Sequence, residues 1–210
     1  MRYKIKAVIF DVGGVLQLEK YSENALRGHR ELNIHTKMAK KFKVSLDQWF
    51  DSLDTPYSDS IEGKISRKKA ISIISKNLKT TPKKLETFWV KIYKKNFKKN
   101  KDLLKFAYNL KKQGYKISIL SDQWYLSKDA LIGKFKKNFY PTIISCDVGI
   151  RKPNPKIYKL VLKKLKLRPQ ETVYIDNQSW NLKPAKKLGM KTILYKDNKQ
   201  TKKDLNRLLK

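Results

Sequence analysis

The sequence predicts an α/β protein: a mostly parallel sheet with helices on both faces and a block of helices inserted after the first strand. Three observations predict it. A short apolar run, Ala7-Val8-Ile9-Phe10, stops on Asp11 and turns on Gly13-Gly14. Past Asn100, four further strand-like segments alternate with helical periodicity, the pattern that builds parallel sheets through crossover helices. Between Lys20 and Lys99 the alternation is lost and candidate helices follow one another.

Each element has its own reason. The first strand is apolar at every position, as in a strand buried on both faces. A carboxylate at its end stands at the carboxyl edge of the sheet, where open α/β folds place their chemistry, and the glycines let backbone N–H groups approach a ligand. Helices are then expected at 22–32, 36–43, 46–52, 67–78 and 83–97, with Ser66 and Thr81-Pro82 as starts. Later strands are expected at 116–120, 142–145, 172–175 and 192–195. The helix at 101–113 carries Leu103, Leu104, Phe106, Ala107 and Leu110 on one face and ends at Gly114; others are expected at 154–167 and at 179–188, closed by Gly189. The chain thus divides into a core of 1–17 and 100–210 and a helical insertion of 18–99, joined by two short hinges.

Composition narrows the class. The single cysteine, Cys146, excludes an internal disulfide pair and a cysteine-cluster metal site. No run approaches the roughly 18 apolar residues of a membrane span, and Met1-Arg2-Tyr3-Lys4 leads straight into a strand pattern with no signal-peptide layout, so a cytoplasmic protein without a membrane partner is expected. The formal charge of +32 allows two readings. One is a nucleic-acid partner. The other, preferred because the lysines are spread along the whole chain and arginine is scarce, is a solvated lysine-rich surface that steers phosphorylated substrates.

Three more strand ends carry polar residues: Ser121-Asp122, the segment Gly149-Ile150-Arg151-Lys152-Pro153, and Asp176-Asn177. In a parallel sheet these ends converge on one edge, bringing two carboxylates, a hydroxyl and a lysine around one crevice. Two carboxylates suit a hard cation such as Mg2+, and a hydroxyl with an ammonium suits phosphate oxygens.

In order, spacing and residue type these motifs resemble the haloacid-dehalogenase-like (HAD) hydrolase superfamily, in the branch with a helical cap after the first motif. The matching segments are Phe10-Asp11-Val12-Gly13-Gly14-Val15-Leu16, Leu120-Ser121-Asp122, Gly149 to Pro153, and Tyr174-Ile175-Asp176-Asn177 followed by Asn181, Ala185 and Gly189. Ile61-Glu62-Gly63-Lys64-Ile65-Ser66 is similar to the helix-joining turn of that branch's cap. The likeness is greatest to sugar-phosphatase-like members such as glucose-1-phosphate phosphatases. It implies a Rossmann-like core and a phosphatase acting on a small phosphorylated metabolite. By that resemblance Asp11 is the nucleophile that forms an aspartyl-phosphate, and Lys152 neutralises it. Asp11, the Gly13 carbonyl and Asp176 would hold Mg2+, and Ser121, Asp122, Gly13 and Gly14 would contact the substrate.

Three departures from the family pattern bear on turnover. Gly13 stands where a second aspartate usually protonates the leaving group, a loss worth about 10²–10⁴ in rate that implies a weak enzyme selective for good leaving groups. Asn177 replaces a second aspartate of the fourth motif, and Asp122 replaces an asparagine of the second. Two alternatives stay open: a dehalogenase, for which Trp180-Asn181 speaks and Asp176 speaks against, and a binding module with a degraded site and a basic surface. His29 and His35 are read as solvated helix residues near the cap's hinge, Trp124 as a candidate pocket wall, Trp49 and Trp89 as cap core, and Cys146 as a small buried hydrophobe.

Overall fold

The computed structural model describes residues 3–19 and 32–209. The expected helix at 22–32, and His29 with it, lies outside the described residues except at its last position. The chain begins with β1 (Ala7–Phe10) and β2 (Gln17–Glu19), then four helices, α1 (Leu32–Phe42), α2 (Leu46–Ile61), α3 (Arg67–Asn77) and α4 (Pro82–Asn96). Next come β3 (Phe97–Lys99), α5 (Lys101–Lys112), β4 (Lys116–Ser121), α6 (Tyr125–Leu131), β5 (Thr142–Ile144), α7 (Ser145–Val148) and α8 (Pro155–Leu165). The chain closes with β6 (Thr172–Asp176), α9 (Ser179–Lys187), β7 (Lys191–Leu194) and α10 (Asn198–Leu209).

Five strands form one parallel sheet in the order β5-β4-β1-β6-β7, the Rossmann-like α/β core expected. β1 lies at its centre because all four of its side chains are apolar and can be buried on both faces. Val8 and Phe10 enter the cluster beneath α5 with Leu103 and Leu110, while Ala7 and Ile9 enter the opposite cluster beneath α8 with Ile157 and Val161. Phe10 is in register with Ile119 and Ile175, so the flanking strands β4 and β6, which end at Ser121 and Asp176, stop within two residues of the end of β1. Among the described residues no helix is long and apolar enough to cross a membrane.

Helices α1–α4 build a separate apolar cluster around Trp49, Trp89, Met38, Ile74 and Leu85, which Trp124 and Leu126 join from the core side. Trp124 is fully buried, its ring 4.4 Å from Trp89 and near-perpendicular to it. It packs between core and insertion and does not line the cavity over the sheet edge described below. The segments that lead into and out of the insertion, β2 and β3, pair with each other as an antiparallel ribbon. Asn100 ties this ribbon to the turn after β1: its N–H donates to Leu16 O (2.9 Å) and its Nδ2 to Val15 O (2.9 Å).

One local reading differs from the structure. The helix expected at 46–52 runs to Ile61 because it kinks at Asp54 and resumes, so that Pro56 falls in the first turn after the kink, where its missing N–H leaves no bond unmade. The turn after Ile61 approaches the core closely. Gly63 has φ +65°, and a Cβ there would come within 3.1 Å of Cys146 O and Gly149 Cα. Only glycine combines that conformation with that contact. Tyr125 Oη donates to Ile65 O (2.9 Å) and Arg151 lies 3.5 Å from Glu62, adding further bonds across the same junction.

Candidate active site

The parallel register sets the site. Asp11 follows β1 directly, Ser121 ends β4 and Asp176 ends β6, so three neighbouring strands deliver them to one edge. Lys152 arrives from the loop between α7 and α8. Its Nζ donates to Asp11 Oδ1 (3.0 Å) and to Asp176 Oδ2 (2.8 Å), and all three side chains are buried. Two acids and a lysine from three separate segments thus form one ion-paired unit.

Asp176 is held by its own neighbours. Oδ2 also accepts from the Tyr174 hydroxyl and from Asn181 Nδ2 (3.1 Å), and Oδ1 accepts from the Gln178 N–H (2.7 Å). Tyr174 was legible in principle, since it sits two residues before Asp176 on the same strand and so on the same face. Burial and the adjacent Asp176 raise the Tyr174 phenol well above its usual range and keep it a donor. Burial alone would lower the Lys152 ammonium, but Asp11, Asp176 and Asp122 outweigh it and raise it above its ordinary value. Burial pushes the Asp11 carboxyl up; Lys152 opposes this, Asp176 adds to it, and the balance lies at about 6.

The other expected residues are distributed around this unit. Asp122 Oδ1 accepts from the Lys152 N–H (3.1 Å), so the acid in the asparagine position braces the lysine's backbone; burial raises its carboxyl. Ser121 is buried, and its Oγ accepts from Gln123 Nε2 (3.2 Å). Gln123, absent from the sequence reading, is fastened in turn by its N–H to Ser145 Oγ (3.0 Å). Gly14 donates its N–H to Gln17 O (2.8 Å), which commits it to the turn; its φ is +77°, and a Cβ there would lie 2.4 Å from Asn177 Nδ2. A Cβ on Gly13 would meet nothing within 4 Å.

A cavity of about 480 Å³ stands over this edge. Gly13, Gly14, Asp122, Gln123, Asn177 and Gln178 line it from the core, and Ile34, His35, Tyr57, Tyr93 and Phe97 from the insertion side. His35 therefore borders the cavity and is not merely a solvated helix residue; its Nδ1 accepts from Trp49 Nε1 (2.9 Å). Cys146 is a buried residue of α7, its thiol pushed up to about 12 by burial and by Asp147, and it takes no part in the site.

The donor set suits a divalent cation. Two acids face one ammonium, so the buried unit carries an excess negative charge. Among the described residues Asp176 Oδ1 accepts a single hydrogen bond, and Asp11 Oδ2 accepts none from a side chain. Among the described residues there is no group of three His, Cys, Asp or Glu side chains. Two carboxylates alone are a donor set of the magnesium type, in which water and substrate oxygens complete the coordination, whereas a structural zinc site asks for four protein ligands.

A parallel core with lysine-bridged acids at its strand ends, roofed by helices over a cavity, is the frame of a Rossmann-like hydrolase. The family model described as haloacid dehalogenase-like hydrolase matches residues 5–189, and the chain belongs to that family. Bifunctional epoxide hydrolase 2 of Rattus norvegicus is 28% identical over 226 residues, which cover 97% of this chain but 39% of that protein, so the chain spans about two fifths of that relative's length. Glyceraldehyde 3-phosphate phosphatase of Methanopyrus kandleri is 24% identical over 211 residues, 93% of this chain and 85% of that one. The crystal structure of the HAD family enzyme bt-2542 of Bacteroides thetaiotaomicron, in complex with magnesium and inorganic phosphate, shares the fold. Its TM-score is 0.70 at 21% identity, covering 91% of this chain and 94% of that one.

Proposed function

We propose that this protein is a Mg2+-dependent phosphatase that hydrolyses a small phosphorylated metabolite, in the class of sugar phosphates, through an aspartyl-phosphate. The observation that carries the reading is Lys152 bridging Asp11 and Asp176 beside an open cavity whose floor is made by the polar strand-end loops next to them. The phosphatase among the relatives and the magnesium and phosphate bound to bt-2542 support the same chemistry.

In this reading the helical insertion acts as a cap, closing over the substrate and excluding water. An Asp11 carboxylate oxygen attacks phosphorus, the P–O bond to the leaving group breaks, and water later attacks the acyl phosphate to release inorganic phosphate. Lys152 orients Asp11 and lowers the repulsion between two anions as they approach. Ser121 and the N–H of Asp122 bind phosphoryl oxygens, with the Asp122 carboxylate holding the lysine loop in place. Magnesium, held by Asp11, the Gly13 carbonyl and Asp176, would neutralise phosphoryl charge.

The direct test is phosphate release from p-nitrophenyl phosphate and a panel of sugar phosphates. Turnover is expected with Mg2+ and not with EDTA. Chloride release from 2-chloropropionate without Mg2+ would transfer the reading to dehalogenation.

Gly13 supplies a second test. Glycine supplies no carboxylic acid two residues after Asp11, yet the space beyond Gly13 is open, in a cavity whose acids are Glu19 and Asp122. Gly13→Asp is expected to raise kcat for alkyl phosphates at least tenfold, toward the range of general acid catalysis. It should change little for p-nitrophenyl phosphate, whose leaving group needs no proton. Equal effects on both substrates would show that leaving-group protonation does not limit the rate.

A further inference from the structure

A second cavity, of about 590 Å³, lies wholly on the helical insertion and shares no lining residue with the one above Asp11. It is framed by the end of α1, the loop after α3 and the first ten residues of α4. Six of the eleven residues that line it are lysines (Lys41, Lys43, Lys79, Lys83, Lys84 and Lys91) and none is acidic. The chain as a whole has 50 basic residues in 210, so the groove is more than twice as basic as the average. Among the described residues no carboxylate pairs with any of the six; Lys41 Nζ lies 5.4 Å over the Phe88 ring, and what sets the groove apart is the density of its lysines.

The groove is not only charged. Lys84, Thr87, Phe88 and Lys91 follow one another at the i, i+3, i+4, i+7 spacing of a single helix face. At 1.5 Å of rise per residue, Lys84 and Lys91 are about 10 Å apart along the axis. Phe42 and Phe88 lie half-buried between the lysines. Phe42 stacks flat on Trp49 with ring planes 1° apart, and Phe88 meets Phe42 edge-on, so both rings are fixed in place.

Six cations without counter-charges repel one another, and a polyanion relieves several of them at once. Aromatic surface between cations adds a second requirement, because flat bases stack on rings whereas a duplex hides its bases and an acidic peptide has none. We propose that this groove binds single-stranded nucleic acid, with phosphates along the lysines and bases against the exposed parts of Phe42 and Phe88. This goes beyond the hydrolytic reading and does not depend on it.

Fluorescence anisotropy with labelled oligo-dT and oligo-U, on the full chain and across a salt series, tests the proposal. The variant K41Q/K83Q/K84Q/K91Q is compared with K105Q/K112Q/K159Q/K187Q, which removes the same charge from exposed positions of the core. The groove variant is expected to bind at least about tenfold more weakly at low salt, with the slope of log K on log salt reduced by about 3, as four lost phosphate contacts dictate for a single strand. The core variant should lose less than about threefold, and both should keep their rate on p-nitrophenyl phosphate. Phe88→Leu, which keeps the site apolar, should weaken oligonucleotide binding roughly fivefold, the low end of one base stack, and leave heparin binding unchanged. Equal losses in the two lysine variants would overturn the proposal. So would duplex bound as tightly as single strand, or polyglutamate or phosphatidylserine vesicles captured through the groove in preference to oligonucleotide.

Discussion

Asp11→Asn is expected to abolish turnover and, at the same time, to make the protein more stable. Two buried acids share one ammonium, and burial raises the Asp11 carboxyl from 3.8 to about 6. The sign follows from proton uptake. Between those two values the folded chain binds more protons at this group than the unfolded chain does, so stability falls as pH rises through the window. The penalty is absent below about 3.8, grows up to about 6 and is fully present at neutral pH. At 1.36 kcal/mol per tenfold change in proton affinity it amounts to at most about 3 kcal/mol. Asparagine keeps the shape, can still accept from Lys152 through its amide oxygen, and leaves one ammonium facing one carboxylate. Urea denaturation of metal-free protein should show the variant gaining up to about 3 kcal/mol at pH 7 and almost nothing near pH 4. A variant no more stable than the parent at pH 7 would mean that Asp11 is not held in a charge-excess site. The same substitution removes the nucleophile, so phosphate release should fall to background.

Lys152→Met is expected to have the opposite effect on stability. It leaves Asp11 and Asp176 buried side by side without their shared cation. Removing one member of a buried ion pair typically costs about 3–5 kcal/mol. The loss should shrink as pH is lowered and begin to do so above about 6, because without Lys152 nothing opposes the upward push of burial and Asp176 on the Asp11 carboxyl. Turnover should fall by at least about 10³, the upper range for a preorganised electrostatic group. The double variant Asp11→Asn/Lys152→Met should be more stable than Lys152→Met alone, because the charge left behind is smaller. Strict additivity of the two single changes would count against a shared unit, since groups in direct contact couple by about 0.5–3 kcal/mol. Lys152→Arg is not expected to rescue either property: a planar guanidinium cannot take the place of a compact ammonium held between two acids.

Both predictions rest on the same arrangement, in which the residues that carry the proposed chemistry also carry opposing electrostatic costs. Asp11 destabilises the fold and Lys152 offsets it. Asp176 is tolerated at full burial because Tyr174, Asn181, Gln178 and Lys152 all donate to it. Such a site is stable only in its complete form, so single substitutions within it should move stability and turnover independently, a pattern that simple unfolding does not produce.

The core was legible because its strands are apolar at consecutive positions and stop on polar residues. Ala7–Phe10, the run before Ser121 and the run before Asp176 could be placed side by side from that pattern, and parallel order then brought their ends together. The β2–β3 ribbon was not legible. Gln17–Glu19 and Phe97–Lys99 are three residues each, largely polar, and pair across some eighty residues of intervening chain. Nor was Gln123, whose place depends on Ser121 and Ser145 together. α10 escaped as well, since a lysine-rich segment with only Thr201 and Leu205 fully buried shows too thin an apolar stripe.

What the sequence determined by itself was the order of strands and helices and the identity of the acids and the lysine, because hydrophobic periodicity and strand-end residues are local properties. Only the tertiary structure decided that Lys152 bridges both acids, that Asp122 braces its backbone, and that lysines scattered along the chain gather in one groove of the insertion. Each of these depends on residues distant in the chain meeting within hydrogen-bond or ionic range, and a distance of that kind is set by packing alone.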